Sequence, residues 1–472
     1  MLRPWDLQIT INTTCEKAVY MQIADAIIHA IKIGKLSPGD ALPGSRQLAT
    51  KLLVNRNTVT MALDVLSAEG WLVAQPRKGM FVAHMLPTFK ARKAIAKQRV
   101  EQPQLIKPHI FFDDGLPDTR IAPMDALGAA YRQIFSRKGR WQMMGYSDAA
   151  GEEEFRIGIA QMLNYNRGMH LHPDQVFITR GSQMATFLAA HCLLVPGDLV
   201  AVENPGYKAA WEAFEHAGAT LLPIRVDEDG IVVEELKAML AQKRRIKAIY
   251  VTPHHQFPTT VTLSLARRLE LVELSNRYGF TIIEDDYDNE FHFGQRPIFP
   301  VSSSEQLENY VYIGTMSKII APALRIGYFA ASPAIVAKAK ALRRIIDVQG
   351  DNMMTQAVLQ LIDEGYLKRH LRKATTHYRT KRDVFEELIK TYLSDKVTCK
   401  KPQGGLAFWL IPNTAQDLDL LEKKLLKKGV AIVSPKNFGV GDTAFGLRLG
   451  YASLDNAQLE QGIAIMAEML LG

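Results

Sequence analysis

Tyr312-Ile-Gly-Thr-Met-Ser-Lys318-Ile-Ile-Ala-Pro-Ala-Leu-Arg325-Ile-Gly-Tyr-Phe-Ala330 sets one lysine on a short Gly/Thr/Ser segment between two apolar runs, with an arginine 7 residues further on. The lysine leaves a strand expected over residues 311–313 and runs into Ile319 and Ile320, not into solvent-favouring residues. Burial disfavours an ammonium, and a neutral amine condenses with a carbonyl to give a Schiff base. The segment by itself also suits a lysine whose stem lies along apolar surface while its head reaches water. The rest of the chain decides between these readings.

From about residue 110 onward, strand-like and helix-like segments alternate, the pattern of an α/β fold. Residues 175–179 lead through Arg180-Gly181-Ser182-Gln183 into an apolar helix expected over 184–194, and a Gly-Ser turn at a helix N-terminus is a ready anion site. The strand over 199–202 ends at Pro205-Gly206-Tyr207, and that over 246–251 at His254-His255-Gln256-Phe257-Pro258. The strand over 280–283 ends at Glu284-Asp285-Asp286-Tyr287, and that over 311–313 leads to Ser317-Lys318. Open α/β sheets bind ligands outside the carboxyl ends of their strands. A phosphate cradle, a stacking aromatic, an acid, a phenol, a lysine and an arginine together suit pyridoxal 5′-phosphate. The lysine holds the aldehyde, and the acid pairs with the protonated ring nitrogen so that the ring draws electrons.

Tyr146-x-Asp148-x-x-Gly151, Gly181-Ser-Gln183, Pro205-Gly206-Tyr207, Asp285-Asp-Tyr287, Ser317-Lys318, Arg325-Ile-Gly327, Gly404-Gly405-Leu406 and Leu447-Arg448-Leu-Gly450 follow one another in this order. On these residues the body resembles the class I aminotransferases of fold type I. The resemblance implies an α/β/α domain with a mostly parallel sheet and a small C-terminal α+β subdomain. It implies that Lys318 carries the cofactor, Asp285 pairs with its ring nitrogen, Tyr207 stacks on the ring and Tyr287 bonds the 3-oxygen. Ser182, Gln183, Ser317 and Arg325 would hold the phosphate, Tyr146 would reach in from a dimer partner, and Arg448 would bind an α-carboxylate bidentately. Two departures stand out. Phe257-Pro-Thr-Thr260 replaces the family's Asn-Pro-Thr-Gly, leaving His255 or Gln256 to substitute for the asparagine, and Asp285 and Tyr287 are two apart where three is usual. Both bear on transamination efficiency more than on cofactor binding.

A chain of 472 residues allows two or three folding units. Its net charge of +8 lies wholly in residues 1–108, which hold 15 Lys/Arg against 7 Asp/Glu, while the remainder has 42 of each sign. A basic head on a neutral body points to a polyanion partner for the head. Three widely spaced cysteines argue against a disulfide framework or a metal site and for a reducing compartment. Neither a signal-type apolar N-terminus nor a membrane-length apolar run is present, so the expectation is a cytoplasmic protein with no membrane partner.

In the head, residues 20–33 read as an amphipathic helix stopped by Gly34 and Ser37-Pro-Gly39. A short helix follows to Leu52, with Ser45 as its expected N-cap, and Asn55 caps a third helix ending near Glu69-Gly70. Residues 71–74 and 80–83 alternate like strands around the basic tip Gln75-Pro-Arg77-Lys78-Gly79. Three helices and a two-stranded wing form a winged helix-turn-helix, whose third helix enters the major groove of double-stranded DNA. Leu42-Pro43-Gly-Ser-Arg46, Val54-Asn-Arg56-Asn-Thr58-Val59, Leu66-Ser-Ala-Glu69-Gly70-Trp71 and Gly79-Met-Phe-Val82 resemble the GntR family of bacterial regulators. That resemblance implies DNA contacts by Arg46, Arg56, Thr58 and Gly79.

The expected organisation is a winged helix-turn-helix over 1–84, a basic linker over 85–109 and an aminotransferase-like domain over 110–472. A GntR-type head on such a body resembles the MocR family of regulators, in which the His-Gln-Phe-Pro and Asp-Asp-Tyr patterns also occur. The resemblance implies a head-to-tail homodimer whose body senses pyridoxal phosphate or an amino compound and controls DNA binding. The other reading is a working aminotransferase acting on an amino acid and a 2-oxo acid.

Overall fold

The computed structural model describes residues 9–12, 14, 16–86, 108–136, 141, 144–294, 298–441 and 445–470. The chain divides into two compact units, Met1–Pro103 and Gln104–Gly472. The linker expected over 85–109 falls outside the described residues between 87 and 107.

In the first unit, helices Val19–Lys32, Ser45–Leu52 and Arg56–Ala68 precede an antiparallel pair of strands, Leu72–Gln75 and Gly79–Val82. Apolar residues at helical spacing explain their packing: Ile23, Ile27, Leu48, Val59 and Leu66 are fully buried, and Leu72 and Val82 close the core from the wing. Asn55 caps the third helix, its side chain accepting the N–H of Asn57 at 2.9 Å. Ser45 is not an N-cap. Gly44 occupies that position in extended backbone, because Pro43-Gly44 supplies the turn, and Ser45 is already helical. Its hydroxyl lies 3.4 Å from Nε of Arg56 instead.

The second unit is built on an eight-stranded sheet. Its spatial order is Val176–Thr179, Gly327–Ala331, Tyr310–Thr315, Thr281–Asp285, Ile246–Val251, Leu199–Asn204, Thr220–Asp227 and Gly230–Ile231. Pairing is parallel except that Gly327–Ala331 opposes both its neighbours and Gly230–Ile231 forms a terminal hairpin. Alternation sends Ile178, Tyr312 and Tyr328 into one core and Phe177, Val311, Ile313 and Phe329 into the other. A sheet covered on both faces requires such near-continuous apolar strands. A second layer holds Val397–Cys399, Ala407–Pro412 and Leu447–Gly450 as an antiparallel sheet, with Val430–Ile432 pairing parallel to Ile110–Phe112. Phe385, Leu425 and Ile463 bring three helices onto it, among them the 28-residue helix Tyr366–Leu393. Among the described residues no helix is long and apolar enough to cross a membrane.

Candidate functional site

Thr281–Asp285 and Tyr310–Thr315 run parallel, so Asp285 and the Thr315–Lys318 turn emerge side by side at one sheet edge. There they border a cavity of about 210 Å³. All the cofactor residues expected from the sequence line it except Tyr146. Lys318 is half-buried, and its Nζ donates to the carbonyl oxygen of Gly115 at 2.7 Å. The amine is thus held at the cavity, and the surface-lysine reading is set aside.

Asp285 is 4% exposed. Its Oδ2 accepts a hydrogen bond from the Tyr250 hydroxyl at 2.8 Å, while Oδ1 is buried without a partner. Burial is the main influence on this carboxyl and pushes it up to about 7, with the Tyr250 bond pulling the other way. Across the cavity, Ser182 and Gln183 open the helix Ser182–Leu193, directly after its N-cap Gly181 at φ 83°. A Cβ on Gly181 would lie 2.9 Å from Nη2 of Arg325, so only glycine lets the guanidinium close onto this turn. The Arg325 Nη2 donates to the carbonyl of Arg180 at 2.9 Å, and the buried hydroxyl of Ser317 has no partner. A helix N-terminus, a guanidinium and a partnerless hydroxyl form a cradle for a phosphate.

Buried polar atoms without partners are costly in a finished protein. Here two of them, Asp285 Oδ1 and Ser317 Oγ, border one cavity together with a lysine amine. A pyridinium N–H, a phosphate and an aldehyde carbon satisfy all three. The residues present therefore fit pyridoxal 5′-phosphate.

Tyr207 also lines the cavity, its ring edge-on to Phe257 at 5.0 Å between centroids and its hydroxyl 3.4 Å from Oε1 of Gln183. Tyr287 donates its hydroxyl to the carbonyl of His255 at 2.9 Å. Arg448 is not in the cavity wall. It is 1% exposed and lies 4.5 Å over the Phe257 ring, its Nε donating to Asp114 O at 2.8 Å and its Nη1 to Pro258 O at 2.7 Å. The expectation for His255 and Gln256 is corrected. His255 Nδ1 engages Asp288 Oδ1 at 2.7 Å, and Gln256 bonds Glu203, Pro205 O and Phe257 O, so neither faces the cavity. Their hydrogen bonds are spent shaping the turn that ends at Thr260, which holds φ at 64° where the family pattern has glycine.

Tyr146 is 89% exposed, close to the exposed Met144. The N–H of the next residue, Ser147, donates to Gln349 Oε1 at 2.5 Å, which brings this segment beside the exposed Ile345 and Val348. Sequence reasoning missed Tyr250, Thr252, Asp114 and Leu116, which also line the cavity. Only Tyr250 had a signal: a phenol within the apolar strand Ile246–Val251 must find a buried partner.

In the first unit, Arg46 and Arg56 are exposed at the first turns of their helices, and Thr58 is half-buried in the first turn of Arg56–Ala68. Gly79 opens the second wing strand at φ 107°, with open space around its absent side chain. All four lie on a winged helix-turn-helix, the class of unit that reads duplex DNA.

The family of class I and II aminotransferases matches residues 118–465, and the gntR family of bacterial regulatory proteins matches residues 19–82. The chain belongs to the class I and II aminotransferase family, and its site is that of a pyridoxal 5′-phosphate protein. With the GntR-type domain ahead of it, the chain has the architecture of the MocR-type regulators. It is 28% identical to the probable rhizopine catabolism regulatory protein MocR of Rhizobium meliloti, over 96% of this chain and 94% of that protein. It is 29% identical to the transcriptional regulator TauR of Rhodobacter capsulatus, over 95% of this chain and 96% of that protein. Among solved structures, a Pyrococcus horikoshii kynurenine aminotransferase in complex with PMP superposes with a TM-score of 0.72 and 28% identity, over 76% of this chain and 90% of that one.

Proposed function

We propose that this chain is a pyridoxal 5′-phosphate-binding transcriptional regulator, whose body senses the cofactor, an amino compound, or both, and whose head binds DNA. The observation that carries it is the pair of partnerless buried atoms beside Lys318, present in one chain with exposed Arg46 and Arg56 on a winged helix. When bound, the cofactor supplies an aldehyde that reacts with amines and a ring that draws electrons. Lys318 would hold the aldehyde, Asp285 Oδ1 would accept from the ring nitrogen, and Tyr207 would pack against the ring. Tyr287 bonds the 3-oxygen, while Ser182, Gln183, Ser317 and Arg325 bind the phosphate. Arg46, Arg56, Thr58 and the backbone at Gly79 contact DNA. The exposed apolar residues near Tyr146 support a homodimer of head-to-tail arrangement, in which Tyr146 completes the partner's site. An effector that binds one state of the body better than another then shifts DNA binding by linkage.

Lys318, Asp285 and Arg448 together also support an aminotransferase reading. The GntR-type domain matched over residues 19–82 favours regulation over turnover alone. Mixing the full-length protein with pyridoxal 5′-phosphate should produce a visible absorption band, absent in Lys318→Ala. No band in the wild type would defeat the cofactor assignment. Rapid multiple-turnover transamination, together with no binding to the DNA beside its own gene, would overturn the regulator reading.

A further inference from the structure

We propose that a larger cavity in the body, of about 720 Å³, is a second ligand site, which takes a small organic anion with an apolar portion. Its size is that of ligand sites in general. It shares no lining residue with the cofactor cavity.

The floor is an unfinished ion pair. Arg167 closes the helix Glu153–Arg167, with its side chain 10% exposed. Its Nη2 donates to Glu290 Oε1 at 2.7 Å, but its Nε has no hydrogen-bond partner and sits 3.6 Å from Asp286. Glu290 Oε2 is likewise buried and partnerless. Arg167 is thus held between two carboxylates, with hydrogen-bonding capacity left over beside the cavity.

The rim is cationic. Lys368, Arg372 and Arg379 line the cavity from the helix Tyr366–Leu393. Their spacing puts them within roughly 40° of one another around the helix axis. All three are exposed, and among the described residues their side chains make no hydrogen bond or ion pair. Like charges at such spacing repel unless an anion sits among them. With Arg167 already paired to Glu290 and Asp286, the surplus positive charge comes from the rim, where these three cations stand against Asp363, with His292 also in the wall. Between floor and rim the surface is apolar, with Met162, Leu163, Ile319, Ile362 and Leu371. A DNA backbone stays at a surface and has no use for an apolar interior. A carboxylate or phosphate ester carried on a hydrocarbon body uses all three zones.

The test is calorimetric titration of the full-length protein, saturated with pyridoxal 5′-phosphate so that the cradle is filled, with phenyl phosphate and, separately, with benzoate. The first supplies a phosphate head and the second a carboxylate on the same ring. Saturable one-to-one binding of at least one probe is expected. It should weaken roughly tenfold or more in Arg372→Gln/Arg379→Gln, as for the loss of charge-assisted hydrogen bonds. Binding should persist in Arg325→Gln, which alters only the phosphate cradle. Both substituted rim residues are exposed, so the double variant should unfold at the wild-type temperature. No saturable binding of either probe up to about 10 mM, the weak end of useful affinity, overturns the proposal. So does binding lost in Arg325→Gln but kept in the rim variant, which would place the anion in the cofactor cradle. Loss of duplex DNA affinity in the rim variant with no probe binding by the wild type would mean that this helix face meets nucleic acid, and the proposal would fail.

Discussion

Asp285 makes the sharpest quantitative demand on the cofactor reading. In the cofactor-free protein its carboxyl is raised from an ordinary value of 3.8 to about 7, chiefly by burial, with Oδ1 left unpaired. At about 1.4 kcal/mol per tenfold change in proton affinity, holding the carboxylate ionised there costs the folded state roughly 4 kcal/mol. Because the folded pKa of an acid is raised, the folded state binds the extra proton between about pH 4 and about pH 7. Stability therefore falls as pH rises through that window, and the full cost is present above it. Asp285→Asn removes this dependence while its amide oxygen still accepts from Tyr250. Glu203 and Glu290 are also pushed up to about 7 by burial, so the informative quantity is the difference between wild type and variant at each pH. Thermal unfolding of the cofactor-free proteins should show the variant gaining on the wild type as pH rises from about 5 to about 8. The relative gain should be of the order of 5 °C for a body of this size. Added pyridoxal 5′-phosphate should then stabilise the wild type more than the variant, most of all at high pH, where the ionised Asp285 gains a cationic partner. Parallel curves for the two proteins across this range would refute the reasoning.

Arg56→Ala should weaken duplex binding and lower the slope of log affinity against log salt by about 0.9, one phosphate contact, measured by titration at several salt concentrations. An unchanged slope would remove Arg56 from the DNA interface. Leu53 is 93% exposed and sits in the left-handed region at φ 53°, so Leu53→Gly should stabilise the protein. Relief of the backbone penalty should exceed glycine's entropy by about 0.5–1 kcal/mol, read by denaturant unfolding. Thr260→Gly relieves a β-branched residue at φ 64° and should act in the same direction by a similar amount. A loss of stability would show that Thr260's side chain matters more than its backbone. Asn55→Ala should cost about 1 kcal/mol by removing the cap on the third helix.

The places of Asp285, Ser317 and Lys318 at the cavity were legible because each ends or follows an apolar strand, and parallel strands must deliver their ends to one edge. Arg46 and Arg56 were legible for a related reason: helix starts advertise themselves through turn and cap residues. Thr252 was not, since it stands at the exit of a strand whose sequence speaks mainly of burial, and Tyr250 offered only the signal of a phenol in that strand. Gly115 reaches the lysine across about 200 residues of chain, a contact that no local pattern encodes. Gln256 shows the converse error. A polar side chain next to a departure from the family pattern invites a functional role, yet buried turns need side-chain hydrogen bonds of their own. Arg448 was found by motif, but its stack on Phe257 is a property of packing.

Lys318 Nζ and Arg448 Nε grip adjacent carbonyls, Gly115 O and Asp114 O, on a tight bend clasped by the Asp113 carboxylate. That bend follows directly on Ile110–Phe112, the first strand of the second unit. The bend is held by two fingers, one from Lys318 and the other from Arg448, which lies over Phe257. When Lys318 lets go, the bend loses a hydrogen bond to a charged group worth about 1.5–3 kcal/mol, enough to move a two-state equilibrium by roughly ten- to a hundredfold. Chemistry at the amine would thereby be felt as slack in the backbone that follows Ile110–Phe112.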